Sequence, residues 1–353
     1  MSSSPTFDWD PAGPDRVLAV ARGDVAALRV GAAREALADT RTRGNFDARA
    51  FRSLVLAAAA APSDVVDSWA KEEPENPDAL LLYARVAAHR ALTARTERDR
   101  GLLEAIATKA CGAAHRAWPV DPTPFVVELT LLRLRTVRGG APARPPGTAA
   151  DPAWTLWREV ESRHPGNREA GQRLLALCYP RHGGSGELAS DTAAYLASVG
   201  PPYGINQVLP LLADLEQDHG SGPAEPDPQR VAKIHQLLGT LTVQGPMEPQ
   251  AEQRRRTLLE MLDLELRGEQ AIDPVAEELG RVWFGPAAHD GPPASATVSD
   301  LSVLAEALHR GGRHGPAWRV LQHIHPYASP FPWSRHGPAE KALRRVYRDC
   351  RRG

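Results

Sequence analysis

A chain of 353 residues with 42 Lys and Arg against 43 Asp and Glu has a formal net charge of −1. That balance excludes the sustained positive field that draws a whole protein onto nucleic acid or an anionic membrane surface. Aromatic residues make up only 6%, Ala, Leu, Arg and Glu dominate, and alternation of period two is confined to short stretches, so a β-rich fold is excluded and an all-α class is expected.

Residues 1–14, with Pro5, Pro11, Gly13 and Pro14, read as an extended lead-in. Met1-Ser2-Ser3-Ser4-Pro5 lacks the charged start and apolar run of a signal peptide, and the longest apolar stretch, Leu54 to Pro62, is about half of what crosses a bilayer. A cytoplasmic protein with no membrane partner is the expectation. Apolar residues at helical spacing then predict helices over Asp15 to Ala21, Asp24 to Thr40 and Asp47 to Ala61, punctuated by Gly23, Gly44 and Pro62. Ser63 is placed to cap a short helix reaching Trp69.

A segment now recurs three times. Glu73-Pro74-Glu75-Asn76-Pro77-Asp78-Ala79, Trp118-Pro119-Val120-Asp121-Pro122-Thr123-Pro124 and His164-Pro165-Gly166-Asn167-Arg168-Glu169-Ala170 share Pro-x-[Asn/Asp] before an apolar helical run, with the first prolines 45 and 46 residues apart. In each, Pro ends the preceding helix because it lacks an N–H and restricts the residue before it. The Asn or Asp two positions on offers an acceptor to the free N–H groups of the next helix. At matched offsets beyond each Pro stand Ala84, Val86 and Ala87, then Leu129, Leu131 and Leu132, then Leu175, Leu177 and Cys178, so the same helix face is expected to dock each time. This is the period of stacked helix pairs, and it predicts an α-solenoid of antiparallel pairs over residues 15–200.

Between the copies, a long helix is expected over Asp99 to Trp118, and a surface loop over the Gly, Pro and Ala-rich Arg138 to Pro152. Trp154 and Trp157, three apart, face one side of the helix entering the third copy and read as core. After Gly200-Pro201-Pro202 the regularity fades into a continuing helical segment, 201–284, and a C-terminal hairpin and final helix, 294–353. Helices are expected over Ile205 to Asp218, Gln229 to Leu241, Pro249 to Arg267, Pro274 to Trp283, Ser299 to Arg310, Gly315 to His323 and Gly337 to Cys350. Linkers His219 to Pro228 and Gly285 to Pro293 separate them, and Gly311-Gly312 turns the hairpin.

Few residues point to chemistry. Pro180-Arg181-His182-Gly183-Gly184-Ser185-Gly186-Glu187 joins two helices, and a glycine-rich loop opening a helix can hold an anion. It has no preceding strand and no Lys-Ser/Thr, so a P-loop is excluded, and the plainer reading is a tight connection with Ser185 as N-cap and Glu187 facing the positive helix end. His309, His314, His323, His325 and His336 are concentrated near the C-terminus without the spacing of a zinc motif, and no metal is assigned. Cys111, Cys178 and Cys350 are far apart and read as reduced, packed thiols. Arg254-Arg255-Arg256 and the basic residues from Arg344 to Arg352 read as solvated faces. No catalytic residue and no cofactor is assigned.

The chain resembles a group of tetratricopeptide-like helical-repeat proteins of unknown function common in actinobacteria. The resemblance covers roughly residues 15 to 217 and rests on Trp69 with Pro74-x-Asn76-Pro77-x-Ala79 through Tyr83, on Ala117-Trp118-Pro119-x-Asp121-Pro122, on His164-Pro165-Gly166-Asn167 and on Pro180-Arg181-His182-Gly183-Gly184-Ser185. Members of that group often carry an aromatic where this chain has His182. The resemblance implies a fold and no activity.

Two functional expectations follow. The first is a scaffold whose concave face takes a peptide or protein partner through exposed Tyr83, Arg85, Glu128, Arg133 and Arg173. The second is an enzyme or small-ligand binder, with Arg181, His182, Gly183, Gly184, His323, His325 and Tyr327 around a site between the array and the C-terminal helices.

Overall fold

The computed structural model describes residues 5–137, 151–201, 203–217, 259, 273–285 and 291–352. Within these residues lie α1 (Arg16–Ala26), α2 (Gly31–Arg43), α3 (Phe46–Ala60), α4 (Val65–Glu72), α5 (Pro77–Thr93), α6 (Glu97–Ala117), α7 (Thr123–Val137) and α8 (Pro152–Arg163). They continue with α9 (Arg168–Cys178), α10 (Gly186–Val199), α11 (Leu209–Gln217), α12 (Pro274–Phe284), α13 (Val298–Arg310), α14 (His314–Ile324) and α15 (Ala339–Arg352). No sheet forms among the described residues, so the chain is all-α, with helices packed in pairs. The expected loop over Arg138 to Pro152 lies almost wholly outside the described residues. So do linker His219 to Pro228, most of linker Gly285 to Pro293, the expected helix over Gln229 to Leu241, nearly all of that over Pro249 to Arg267, and Arg254-Arg255-Arg256.

The three recurrent segments do cap helices. Asn76 Oδ1 accepts from the N–H groups of Asp78 and Ala79 at 2.8 and 3.5 Å, Asp121 Oδ1 from Thr123 at 2.9 Å and Asn167 Oδ1 from Ala170 at 2.9 Å. Of the nine residues at matched offsets, eight are buried and Leu132 is half-buried. The helices they begin, α5, α7 and α9, touch in sequence, and the row runs on from α1 through α3 to α11 and α13. The intervening α2, α6, α8 and α10 each pack beside their neighbours in this row.

Helices in the row serve two apolar clusters at once. Ala79, Leu82 and Val86 of α5 join the N-terminal core with Trp69, whereas Leu81, Ala84 and Ala87 join α6 and Leu131 of α7. Val126 and Leu129 of α7 enter the next core, with Trp154, Trp157 and Leu174. The two tryptophans are buried, as expected, with rings edge-to-face at 5.6 Å. Leu211 and Leu215 of α11 belong to a fourth core with Trp283, Leu304, Val320, Trp333 and Val346, so α12 to α15 pack continuously against the row.

The lead-in is anchored at the other end of the chain. Asp8 forms a parallel bridge with Tyr327, and Phe7 stands against Trp9, His325 and Tyr347 in the C-terminal core.

Two local expectations are corrected. α1 runs through Gly23 to Ala26, because Gly23 there keeps helical geometry and the break is made further on, by Leu28 at φ 63°. Ser63 does not cap α4: its hydroxyl donates to the Ala60 carbonyl instead, at 3.2 Å.

At the N-terminal end of α3 a single guanidinium joins two of the recurrent turns. Arg49, fully buried, donates from Nη1 to Asp78 Oδ1 at 2.6 Å and from Nε to Asp121 Oδ2 at 2.7 Å, and lies over the Trp118 ring at 4.9 Å. Two residues earlier, Asp47 Oδ2 lies 3.2 Å from His164 Nε2 in the third turn. Asp78 has a second cation, Arg41 at 3.3 Å, but Asp121 would lose the guanidinium that meets its Oδ2, and a buried carboxylate left without a cation is costly. R49A is expected to destabilise the protein by about 3–5 kcal/mol in urea unfolding, whereas exposed Arg98→Ala stays within about 0.5 kcal/mol.

Candidate functional site

The surface built by α5, α7, α9 and α11 carries a band of charge. Arg85 of α5 donates both Nη groups to Glu169 of α9, each at 2.7 Å, and Arg173, one turn on in α9, adds a contact to Glu169 Oε1 at 3.0 Å. Burial would raise the Glu169 carboxyl, but Arg85 and Arg173 outweigh it and hold the pKa at about 2. Arg85 is only 4% exposed. Its expected place on an open contact face is therefore corrected: α5 and α9 approach closely enough that the group spans them, and a buried guanidinium must be paired.

The other expected contact residues are half-buried. Tyr83 packs between the two N-terminal cores, and burial, with Asp67 nearby, pushes its hydroxyl pKa up. Glu128 and Arg133 are on α7 and Arg173 on α9. Burial lowers the Arg133 pKa, and the positive charges of Arg181 and Arg173 lower it further against the pull of Glu216. Arg133, Arg173 and Arg181 therefore share one electrostatic neighbourhood. Glu216 of α11 pairs with Arg181 and lies 3.7 Å from Arg335, which reaches it from the C-terminal part.

The glycine-rich turn below this band is set by backbone packing. Pro180–His182 forms one 3-10 turn, Gly183 takes φ 85°, and a Cβ on Gly184 would meet the Cys178 carbonyl oxygen at 1.9 Å. Ser185 caps α10, accepting from Leu188 N–H at 3.0 Å, as the plainer sequence reading expects. His182 is 6% exposed and neither ring nitrogen has a hydrogen-bond partner. Burial, then Arg133 and Arg181, push its pKa down to about 4, so the imidazole is neutral at physiological pH.

A cleft of about 220 Å³ opens beside the band, between α9, α11 and α13, lined in part by Arg168, Gln172, Tyr179, Arg181, Asp300 and Phe331. Two of its charged groups bind each other, Arg168 with Asp300, and Gln172 Nε2 donates to Asp300 Oδ1 at 2.9 Å, whereas Tyr179 OH and Asn206 Oδ1 are buried without a hydrogen-bond partner. Of the residues expected around a ligand site, Arg181 lines this cleft, and His182, Gly183, Gly184, His323, His325 and Tyr327 do not. His323 instead stands 5.3 Å from the Phe284 ring, His325 packs by Phe7, and Tyr327 bridges Asp8. Sequence reasoning gives no role to Glu169, although it stands in the third recurrent segment, nor to Glu216 and Arg335, which lie outside the recurrence. Comparison with protein-family models, curated proteins and solved structures finds no match.

A histidine whose folded pKa lies at about 4, against an ordinary 6.5, opposes folding wherever the unfolded chain takes up the proton first. Above 6.5 both states are neutral and the penalty is absent; it builds up as pH falls from 6.5 and is complete below about 4. H182F should therefore gain on the parent protein as pH is lowered: the difference in urea midpoint is expected to favour the variant more at about pH 4.5 than at about pH 7.5.

Proposed function

We propose that this protein is a tetratricopeptide-like α-solenoid acting as a scaffold, with an inner face that receives an acidic segment of a protein partner. The helix ladder supports the architecture: alternate helices touch in an unbroken row while their partners flank it, the arrangement that stacked helix pairs adopt. The observation that carries the binding reading is the charge of that row. Beside the buried Arg85–Glu169 pair, Arg133, Arg173, Arg181 and Arg335 meet Glu128 and Glu216, a local surplus of positive charge in a chain whose net charge is −1. His182 beside them is held neutral by burial first and then by the same field. Acidic groups entering there meet guanidinium donors already positioned by packing, which lowers the ordering cost of binding.

The three cysteines, all buried and free, support a reducing, cytoplasmic setting. The reading of a small-ligand or enzyme site has one observation in its favour, the cleft between α9, α11 and α13. At about 220 Å³ it falls below the range of about 300–1,000 Å³ usual for ligand pockets, and its charged groups are engaged with each other. The partner-binding reading is the better supported.

Fluorescence anisotropy with matched glutamate-rich, neutral and lysine-rich peptides tests it. The glutamate-rich peptide is expected to bind best, to weaken as salt rises, and to lose at least about tenfold in affinity to R133E/R181E. Equal binding of the three peptides, or none, would sink the proposal.

A further inference from the structure

Away from the charged band, at the C-terminal end of the fold, two histidines and a cysteine converge. His309 stands in the last turn of α13, His314 is the first residue of α14 beyond the Gly311-Gly312 turn, and Cys350 comes from the last turn of α15. A ring nitrogen of each histidine and Cys350 Sγ all lie within 4.8 Å of one another. The imidazoles do not satisfy each other: they meet edge-to-face at 5.3 Å, and Nδ1 of both is buried with no hydrogen-bond partner. Two imidazoles with unpartnered, buried Nδ1 atoms beside a thiol that is 2% exposed are an expensive arrangement without a ligand.

We propose that His309, His314 and Cys350 form a zinc(II) site that clips the last helix to the α13–α14 turn. Two imidazoles and a thiolate are borderline-soft donors, which suit Zn²⁺ and not the oxygen-seeking Mg²⁺ or Ca²⁺. Bond lengths of about 2.0–2.3 Å place tetrahedral donors about 3.5 Å apart, so the observed cluster closes on an ion with small side-chain rotations. Both Nδ1 atoms serve as ligands, and water completes the tetrahedron.

The surroundings fit a cation. Asp349 Oδ2 lies 3.7 Å from His309 Nε2, beyond hydrogen-bond reach but close enough to set a negative charge beside the ring. Glu306, one turn before His309, is 2% exposed, gives one carboxylate oxygen to His336 and leaves Oε2 without a partner. Arg345 is the opposing cation near His309. Binding replaces the Cys350 S–H bond with a sulfur–zinc bond and releases that proton to solvent.

The test uses the untagged full chain, stripped with chelator and titrated with Zn²⁺ and with Co²⁺ as a spectroscopic probe. One ion per chain is expected, with a thiolate-to-cobalt charge-transfer band and a rise in Tm on adding zinc. C350S should abolish the band, C350S and H314Q should each weaken zinc by at least about a hundredfold, and D349N by about tenfold. The control H323Q/H325Q should bind within about twofold of the parent, which separates the site from the other histidines of this region. Far-UV circular dichroism verifies that each variant is folded, and H314Q serves where C350S is not. Zinc binding that is absent at micromolar concentration, unchanged in both C350S and H314Q, or replaced by retention of copper(I) alone overturns the assignment.

Discussion

The Arg49 guanidinium is the interaction on which the rest of the arrangement depends. It stands at the start of α3 with buried carboxylates from the first and second recurrent turns on two of its edges and the half-buried Trp118 indole on its face. A buried ion cluster of this kind gains little over an apolar core of equal volume, because desolvation consumes most of the Coulomb attraction. Its effect is on geometry. The carboxylates must come to within 2.7 Å of fixed nitrogen positions, so the turns that launch α5 and α7 have one position relative to α3. Asp47 adds the third turn through His164. With three helix starts set from one point, α5, α7 and α9 run as neighbours, and Arg85 meets Glu169 across them.

This explains which parts of the fold are legible in the sequence. Caps, turns and matched apolar offsets are local, and Asn76, Asp121 and Asn167 declare them within a few residues of the helices they begin. Punctuation is less reliable where tertiary packing overrides it. Gly23 continues a helix because its neighbours keep the hydrogen-bond ladder, and the chain breaks at Leu28, a residue that no turn rule selects. Gly184 was readable as permissive loop chemistry, but the requirement is steric, since the Cys178 carbonyl fills the place of a side chain.

The charged band is legible only in part. Arg133 and Arg173 follow from their positions after recurrent turns, and Arg181 from the loop that joins α9 and α10. Glu169 stands in the third recurrent segment, but its pairing is hidden because Arg85 is 84 residues away, and Glu216 and Arg335 come from segments outside the recurrence. The same holds for Cys350 beside His309 and His314: the spacing of the histidines matches no motif, and the third group arrives on a different helix. Charges and side-chain donors separated this far in sequence become a site only through folding, and a linear pattern has no means of recording it.

The bridge between Asp8 and Tyr327, with Phe7 packed among C-terminal rings, joins the two ends of the described chain. In repeat arrays whose terminal units contact only one neighbour, those units fray first and stability is a sum of nearest-neighbour terms. Here the first helices cannot peel away without releasing aromatic groups from the last core, so loss of order at one terminus is felt at the other. The chain thereby acquires the cooperativity of a closed body from a lead-in of a few residues.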